Sequence, residues 1–429
     1  MKAIGTVCVG YAAVAEKNWS GTHTYRAGVV HRPSTLGEVR RIVAAAPHIR
    51  VLGSRHSFTD IGDSDELVSL DGLRADVAVD RADGTVSFGA ALRYGELAQA
   101  LHGDGLALAN LASLPHISVA GAVATATHGS GDGNGNLATA VAGLELVTSD
   151  GEVMTARRGD PDFDGMVVGL GALGAVTRIT LDVEPAYEIR QRVFEGLAWD
   201  ALFAHYDAIT ALGHSVSVFT RWGDTTDQVW IKSRVGDTPE DVRPDLFGAV
   251  AATVDRHPIL GIDPVNATAQ LGRPGRWSDR LPHFRMGFTP SVGEEIQSEY
   301  LLPRRHAVAA IEAVRGLSET LRPVLQVAEI RSVAADRLWM SPQYETDTVA
   351  LHFTWTREPE AVARVLSGLE AALDPFDFRP HWGKLFLGDA AAIAPRYERL
   401  PDFRALVERL DPRGAFRNAW LERTVLGDE

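Results

Sequence analysis

The chain has 429 residues, of which 45% are hydrophobic and 23% are charged, and its formal net charge is −14. This length is typical of two domains, and the acidic balance argues against binding to nucleic acid or to an anionic membrane, since both require a basic surface. The single cysteine, Cys8, excludes a disulfide within the chain and fits a reducing cytoplasm, where we expect the protein to act.

Residues 1–15 (MKAIGTVCVGYAAVA) resemble a weak signal peptide. The apolar run is short and is interrupted by Gly5, Thr6 and Gly10, and nothing further along the chain is typical of a secreted protein. We therefore interpret residues 1–17 as an N-terminal extension, with secretion as the alternative. No run of roughly 20 apolar residues is present, so the sequence predicts no membrane span.

A glycine turn follows the first predicted β-α-β order. Apolar residues recur at helical spacing over residues 34–46, and the next strand enters residues 51–58 (VLGSRHSF) and ends at Gly53. Backbone N–H groups after such a turn can converge on an anion, and His56 lies where it could touch that ligand. A histidine beside a tight turn is more often structural, so this stretch alone decides nothing.

A second loop, residues 111–131 (LASLPHISVAGAVATATHGSG), has the same character. Its small residues allow close backbone approach, and its serines and threonines supply hydroxyl groups. Two such loops predict a cradle for a long, flat, phosphorylated ligand. Around them, strands are predicted at residues 67–70, 77–79, 85–88, 144–148, 153–155 and 176–183, with a helix at 94–101.

Two motifs in this region imitate known sites. Residues 169–174 (GLGALG) match G-x-G-x-x-G, but AVTRITLDV follows them and predicts a strand, whereas a dinucleotide-binding Rossmann site needs a helix there. Residues 132–136 (DGNGN) imitate a calcium loop, but Leu137 and Gly143 stand where an EF-hand requires Gly and Glu. We interpret residues 132–136 as a flexible polar flap.

The second half of the chain predicts an antiparallel sheet with helices, as in an α+β domain. Strands are predicted at residues 215–222, 228–232, 325–332 and 348–355, and helices at 303–321 and 358–373. Strand alternation within VAEIRS places Glu329 and Arg331 on one face, and within VALHFTW it places His352 and Thr354 on one face. The pattern alone leaves two readings open, a polar site on adjacent strands or a solvated sheet face.

These motifs together resemble one family. VLGSRHSF and the second loop resemble the flavin-binding domain of the vanillyl-alcohol-oxidase superfamily, and EIR, HFT and RPHWGK (residues 379–384) resemble its alditol oxidases, which are related to the sugar-1,4-lactone oxidases. The resemblance extends from about Asn18 to Leu421. It implies an α+β, two-domain flavoprotein with a PCMH-type FAD-binding domain (residues 18–188), an antiparallel-sheet substrate domain (189–390) and a C-terminal segment (391–429) that returns to the first domain.

The resemblance also implies FAD as the cofactor, attached covalently through His56 at the 8α-methyl carbon of the flavin. The positions that match the family's cofactor site are Val51, Leu52, Gly53, Ser54, Arg55, His56, Ser57, Ser113, Ser118, Gly121, Thr125, Ala126, Thr127, His128 and Val176. Arg55 departs from the pattern, because relatives have Gly or another small residue there. We expect its guanidinium to point away from the flavin or to pair with an acid such as Asp60.

By the same resemblance, a group of polar side chains holds and oxidises the substrate. The substrate-binding positions are Ser113, Glu329, Arg331, Thr354 and Lys384, and the catalytic positions are Glu329, Arg331, His352 and Lys384. His352 or Glu329 is the expected base, Arg331 steadies the developing alkoxide, and Lys384 lies near the flavin edge that collects negative charge on reduction.

The expected reaction is oxidation of the terminal hydroxyl of an alditol, such as xylitol or sorbitol, to the aldose, with O2 reduced to H2O2. The alternatives are an aldono-1,4-lactone oxidase or dehydrogenase and a non-catalytic flavin- or sugar-binding protein. Ala112, beside the expected flavin, occurs in both oxygen-reactive and oxygen-poor relatives and does not decide between oxidase and dehydrogenase. We expect a monomer with no metal, whose partners are the polyol and O2.

Overall fold

The computed structural model describes residues 16–236, 245–287 and 295–427. Cys8 and most of the predicted N-terminal extension lie outside these ranges. The first part of the chain forms the elements β1 (Val29–His31), α1 (Leu36–Ala45), β2 (Ile49–Val51), β3 (Glu66–Val68), β4 (Ala78–Asp80), β5 (Thr85–Gly89), α2 (Tyr94–Gly103), β6 (Leu106–Ala107), α3 (Val119–Ala124), β7 (Val141–Val147), β8 (Val153–Arg157), α4 (Phe163–Val167), β9 (Ala175–Asp182) and β10 (Glu184–Pro185).

These strands form three small sheets. A parallel sheet has the order β1-β3-β2, an antiparallel sheet has the order β4-β5-β9-β7-β8, and β10 pairs with β6. Helix α1 begins at Thr35, whose side chain accepts a hydrogen bond from the Glu38 N–H, and it buries Val39 and Val43. Residues 169–174 lead directly into β9, so the strand expected after these glycines is present.

The second part is organised around one antiparallel sheet. Its elements are β11 (Glu188–Glu195), α5 (Trp199–Ala204), α6 (Tyr206–Thr210), β12 (Ser215–Thr220), β13 (Gln228–Arg234), β14 (Asp245–Leu246), β15 (Ala249–Ala251), β16 (Gly275–Arg276), β17 (Glu295–Pro303), α7 (Ala307–Arg315), α8 (Ser318–Leu321), β18 (Leu325–Val333), β19 (Thr348–Thr356), α9 (Pro359–Leu373) and β20 (Arg379–Pro380). The described strands follow the order β14-β15-β11-β13-β12-β18-β19-β17-β20, and β16 pairs with β11.

The two faces of this sheet have opposite character. Ile330, Leu351 and Phe353 point to one face and pack in an apolar core with helices α7 and α9. The alternate residues Glu329 and His352 point to the other face, yet they are also buried. A buried polar face must be covered by another part of the molecule, because burying unpaired polar groups is costly.

The chain ends by returning to the first part. After α10 (Ala390–Ile393), α11 (Leu400–Leu410) and α12 (Ala419–Leu421), residues Glu422–Leu426 form a π-helical turn. The Arg50 guanidinium donates to the Phe416 carbonyl at 2.9 Å, and the Ile49 N–H donates to the Ala415 carbonyl at 2.7 Å. These bonds fix the tail beside β2. The predicted domain limits at residues 188 and 390 stay predictions.

Two local predictions are wrong. The helix predicted at residues 303–321 is two helices, α7 and α8, because Pro303 ends β17 and the helical hydrogen bonding is interrupted around Leu317. Residues 132–136 do not form a flap: Asp132 forms an ion pair with Arg304 at 2.6 Å, and the Asn136 side chain is 1% exposed. This segment joins the two parts of the chain.

No described helix has the length and apolar character needed to cross a bilayer.

Replacing Asn136 with Ala tests this junction. The Asn136 Nδ2 lies 2.7 Å from Asp336 Oδ2 and 3.1 Å from Gln343 Oε1. The other donor to both is the Ser341 hydroxyl, which has a single hydrogen, so the loss of Asn136 leaves one of the two acceptors without a donor. We expect Asn136→Ala to lower the free energy of unfolding by about 2 kcal/mol, measured by chemical denaturation. Gly133→Ala in the same segment is the control, because a Cβ there meets nothing within 4 Å. Equal stability of the two variants would contradict the account.

Candidate functional site

A cavity of about 530 Å³ lies between the two small-residue loops and the polar face of the large sheet. This volume is in the range of cavities that hold small molecules and cofactors. The predicted site residues that line it are Val51, Leu52, Gly53, Ser54, Arg55, His56, Ser57, Ser113, Ser118, Gly121, Thr125, Thr127, His128, Glu329, Arg331, His352, Thr354 and Lys384. Ala126 and Val176 do not line this cavity: Ala126 is fully buried and Val176 lies within β9. The role of each residue stays a prediction.

The two loops meet at Ser118. Its N–H donates to the Ser54 hydroxyl at 2.9 Å, which joins the first loop to the second. A Cβ added at Gly53 would approach Ser118 Oγ to 2.9 Å, and one added at Gly121 would approach it to 2.8 Å. A larger residue at either position would force the Ser118 hydroxyl to move, so glycine lets the loops come this close with Ser118 in place.

His56 is held between the first loop and the N-terminal segment. Its ring stacks on Trp19 at 5.4 Å with an interplanar angle of 19°, and Trp19 N–H donates to the Arg55 carbonyl at 2.7 Å. Burial lowers the pKa of His56 to about 4, so the imidazole is neutral at physiological pH. Its Nδ1 is buried and has no hydrogen-bond partner in the described part of the chain. A neutral imidazole has one nitrogen with a lone pair, which a protonated ring lacks.

Arg55 adopts a backbone conformation that favours glycine. Its φ is 62°, in the left-handed region. Arg55 pairs with an acid, as expected, but the acid is Glu16 at 3.1 Å and not the suggested Asp60, which pairs with Arg423. The departure from the family pattern thus attaches this segment beside His56.

One carboxylate on the large sheet is held by an arginine of its own strand and by a histidine from another segment. Strands β18 and β19 place Glu329 opposite His352, as the alternation predicts. Glu329 forms an ion pair with Arg331 and accepts from His283 Nε2 at 2.9 Å, and Arg331 donates to Ser113 Oγ at 2.8 Å. Burial alone would raise the pKa of Glu329, but Arg331 and His283 outweigh it and hold that pKa well below its ordinary value.

A second carboxylate, Glu299 on β17, was not predicted. It lies opposite His352 on the other side of β19 and is 2% exposed. Lys384 Nζ donates to Glu299 Oε2 at 2.5 Å and lies 2.8 Å from His352 Nδ1. His128 Nε2, from the second loop, lies 3.2 Å from Glu299 Oε1. The two carboxylates Glu299 and Glu329 therefore balance Arg331 and the protonated form of Lys384.

His352 carries no charge at physiological pH. Burial, with a further contribution from Lys384, lowers the pKa of His352 to about 3. Because an ammonium can only donate, a protonated Lys384 makes His352 Nδ1 an acceptor, and the ring proton is then on Nε2. That nitrogen lies 3.1 Å from Thr354 Oγ1, which leaves the threonine hydroxyl hydrogen free to donate into the cavity.

Sequence reasoning missed Glu299, His283 and Trp19. The signal for Glu299 is present, because Glu295, Gln297 and Glu299 alternate with other residues in the same way as the EIR motif, and all three line the cavity. His283 follows a loop-rich segment without strand periodicity, so only the tertiary structure places it beside Glu329.

Comparisons with known proteins agree with this geometry. Residues 27–157 match the family model of an FAD binding domain, and residues 292–424 match that of D-arabinono-1,4-lactone oxidase. The chain is 50% identical to an alditol oxidase of a Streptomyces species, over 97% of this chain and 100% of that protein. It is 28% identical to an L-gulono-1,4-lactone dehydrogenase of Mycobacterium tuberculosis, over 96% of this chain and 98% of that protein.

A solved structure with a similar fold is cholesterol oxidase from B. sterolicum. It superposes with a TM-score of 0.78 at 16% identity and covers 96% of each chain. At this identity the likeness concerns the fold alone. With the match to an FAD binding domain, it confirms the predicted α+β flavoprotein fold class.

Two substitutions of Arg55 separate backbone strain from the ion pair. Arg55→Gly and Arg55→Ala both remove the contact with Glu16, but only glycine relieves the positive φ. We expect the glycine variant to be more stable than the alanine variant by about 1 kcal/mol, measured by chemical denaturation. An alanine variant at least as stable as the glycine variant would show that the loop is not in this conformation.

Proposed function

The chain belongs to the alditol oxidase family of FAD-dependent oxidoreductases, and we propose that it oxidises a terminal hydroxyl of a polyol such as xylitol or sorbitol to the aldehyde of the aldose, with O2 reduced to H2O2. One observation carries the choice of substrate class: buried ion pairs and hydroxyl groups line the cavity wall opposite the two small-residue loops. A polyol matches such a wall, because each of its carbons offers a donor and an acceptor. A site built for hydroxyl groups rejects a substrate that leaves its buried polar groups unpaired.

The two loops fit the FAD that this family binds. A side chain at Gly53 or Gly121 would push against the Ser118 hydroxyl at the cavity wall, and the neutral ring of His56 lines the same cavity. When bound, FAD supplies the acceptor for the hydride that leaves the substrate carbon, and it passes the electrons to O2. Within the ranges Val51 to Ser57 and Ser113 to His128, the residues that line the cavity are those we propose to hold it.

We propose that His56 carries the FAD covalently. Its low pKa keeps the imidazole neutral, and only a neutral ring has a lone pair with which to form the bond. The stacking of Trp19 limits rotation of the ring, and the ion pair between Arg55 and Glu16 keeps the segment that carries Trp19 in place.

The polar wall supplies the groups that orient the alditol. Arg331 and Ser113 are hydrogen-bonded to each other across the cavity, so a substrate hydroxyl can bind to both. Thr354 has a free hydroxyl hydrogen as long as Lys384 donates an N–H to His352, since the threonine oxygen then accepts from His352 Nε2. Arg331 has a permanent charge and stabilises negative charge that develops on the substrate oxygen.

The proton of the reacting hydroxyl needs an acceptor. Both oxygens of Glu329 have partners, and its pKa lies well below the ordinary value, so Glu329 is a weak base. His352, with a pKa of about 3, is also weak. Burial lowers the pKa of Lys384 from its ordinary value towards the range in which a lysine acts as a base. We therefore favour the amine of Lys384, hydrogen-bonded to His352, over the two expected bases. Activity should then fall as the pH falls through the pKa of Lys384.

The second candidate is an aldono-1,4-lactone oxidase or dehydrogenase. It is favoured by the family match over residues 292–424 and by the mycobacterial relative. A peroxide-coupled assay with xylitol, sorbitol, L-gulono-1,4-lactone and D-arabinono-1,4-lactone separates the two functions. The proposal expects peroxide with the polyols and little with the lactones. The opposite order would establish the second candidate, and lactone turnover without peroxide would indicate a dehydrogenase.

Substitutions at the polar wall should remove turnover without removing the cofactor. Lys384→Ala eliminates the proton acceptor and should lower kcat about 1,000-fold. Arg331→Ala eliminates the charge that stabilises the alkoxide and should lower kcat about 100-fold. Visible absorbance should show the wild-type FAD content in both variants. Thr356→Ala, at the end of β19 and outside the cavity, is the control and should keep full activity. Loss of FAD from the first two variants would mean that these side chains hold the cofactor instead.

The covalent link has a direct test. Acid precipitation of the purified protein should leave the yellow colour in the pellet, and flavin fluorescence should migrate with the chain on a denaturing gel. His56→Ala should release all colour to the supernatant. His116→Ala is the control, since this histidine is bonded to the Met286 carbonyl and does not line the cavity. Colour that stays with the His56→Ala pellet would place the link elsewhere, and colourless wild-type pellets would exclude a link.

A further inference from the structure

Glu299 is the most enclosed charged group of the cavity wall. It lies in the middle of β17, and its neighbours come from three other segments: His128 from the second loop, His352 from β19 and Lys384 from the segment after β20. A buried carboxylate is costly unless cations and donors surround it. The position of Glu299 therefore indicates a function that depends on both the length and the charge of its side chain.

The geometry at Lys384 Nζ indicates that role. A lysine nitrogen has four tetrahedral positions, one of which is its bond to Cε. Two of the others point to Glu299 Oε2 at 2.5 Å and to His352 Nδ1 at 2.8 Å. The fourth position is left for a ligand in the cavity, which Lys384 lines. It holds an N–H when Lys384 is protonated and the lone pair when it is not.

We propose that Glu299 is the positioning residue of the proton acceptor: its carboxylate directs the lone pair of Lys384 at the substrate hydroxyl and stabilises the ammonium that forms when the proton arrives. The proton moves from the hydroxyl oxygen to Lys384 Nζ as the hydride leaves the same substrate, so the neutral amine becomes an ammonium beside a carboxylate. This inference rests on the proposed function for the identity of the substrate, but not for the pairing of Glu299 with Lys384.

Other charged and titratable groups face Glu299 and Lys384, and their charge states also affect the titration of Lys384. These groups are His128, His352, His381, Glu329 and Arg331. Burial holds the pKa of His352 and of His381 below the ordinary value, so both rings are neutral, while Glu329 and Arg331 are charged and paired with each other. Glu299 raises the pKa of His352 and of His381, so removing its charge lowers both further and leaves the two rings neutral. A shift in the titration of Lys384 therefore reports the loss of Glu299.

The test is Glu299→Gln, which keeps the shape of the side chain and removes its charge. A nearby carboxylate favours the protonated form of an amine, so its loss should move the acid limb of kcat/KM for xylitol to lower pH by at least about one unit. The weaker base should also lower kcat about 100-fold, with little change in KM or in FAD content. Glu370→Gln is the matched control: this carboxylate is bonded to Tyr300, the next residue of β17, on the face away from the cavity. It should leave both quantities unchanged.

A second readout does not depend on turnover. The pH dependence of acetylation of Lys384 by acetic anhydride, followed by mass spectrometry of the FAD-loaded protein, gives the midpoint of its titration. Glu299→Gln should move that midpoint to lower pH, and Glu299→Asp should keep it near the wild-type value while lowering kcat, because the charge remains but stands farther from Lys384. If Glu299→Gln does not fold, a wild-type kcat in Glu299→Asp overturns the proposal.

The outcomes separate this inference from the proposed function. An unmoved midpoint in Glu299→Gln overturns the role of Glu299 even if the wild type oxidises xylitol. A shifted midpoint in a protein that produces no peroxide from polyols supports the pairing and contradicts the proposed function. A fall in kcat with an unmoved acid limb would show that Glu299 only maintains the structure.

Discussion

Two buried ion pairs on one sheet face are the constraint on which the rest of this structure depends. Glu299 with Lys384, and Glu329 with Arg331, lie where water does not screen them, and breaking one such pair strands a buried charge at a cost of about 3 to 5 kcal/mol. The registers of β17, β18 and β19 must therefore be fixed. A slip of one residue would turn these charges into the apolar core around Leu351 and Phe353.

The first part of the chain contacts this face of the sheet through several side chains. His128 reaches Glu299, and Ser113 reaches Arg331, so the second small-residue loop, which shapes the cofactor side, also supplies partners to the charged side. Asp132 and Asn136 attach the same region to the large sheet. Catalysis by hydride and proton removal needs the substrate carbon and its hydroxyl held in a fixed relation to the cofactor. A cavity whose two walls are bonded to each other provides that relation.

The sequence predicted the elements with strong periodicity and the residues with strong motifs. Strands β18 and β19, helix α9 and the two loops were foreseen, because alternation, helical spacing and glycine turns are local signals. Strand β17 and Glu299 were not foreseen. Charged residues on a strand predict solvent exposure unless it is known that another part of the chain covers that face. The partner of Arg55 was wrong because sequence gives neither the left-handed φ nor the return of Glu16 to the loop. Sequence thus gave the residue types of the site, whereas their pairing depends on tertiary structure.

The central claim is that the charged wall presents a polyol to a flavin held by the two loops. Its most direct measurement is anaerobic addition of xylitol to the purified, FAD-loaded protein while the visible absorbance of the flavin is followed. The account predicts that the oxidised flavin band bleaches in proportion to the xylitol consumed, that the sugar formed is the aldose, and that air restores the band. An unchanged band with xylitol and sorbitol, with bleaching by an aldono-1,4-lactone, would contradict it.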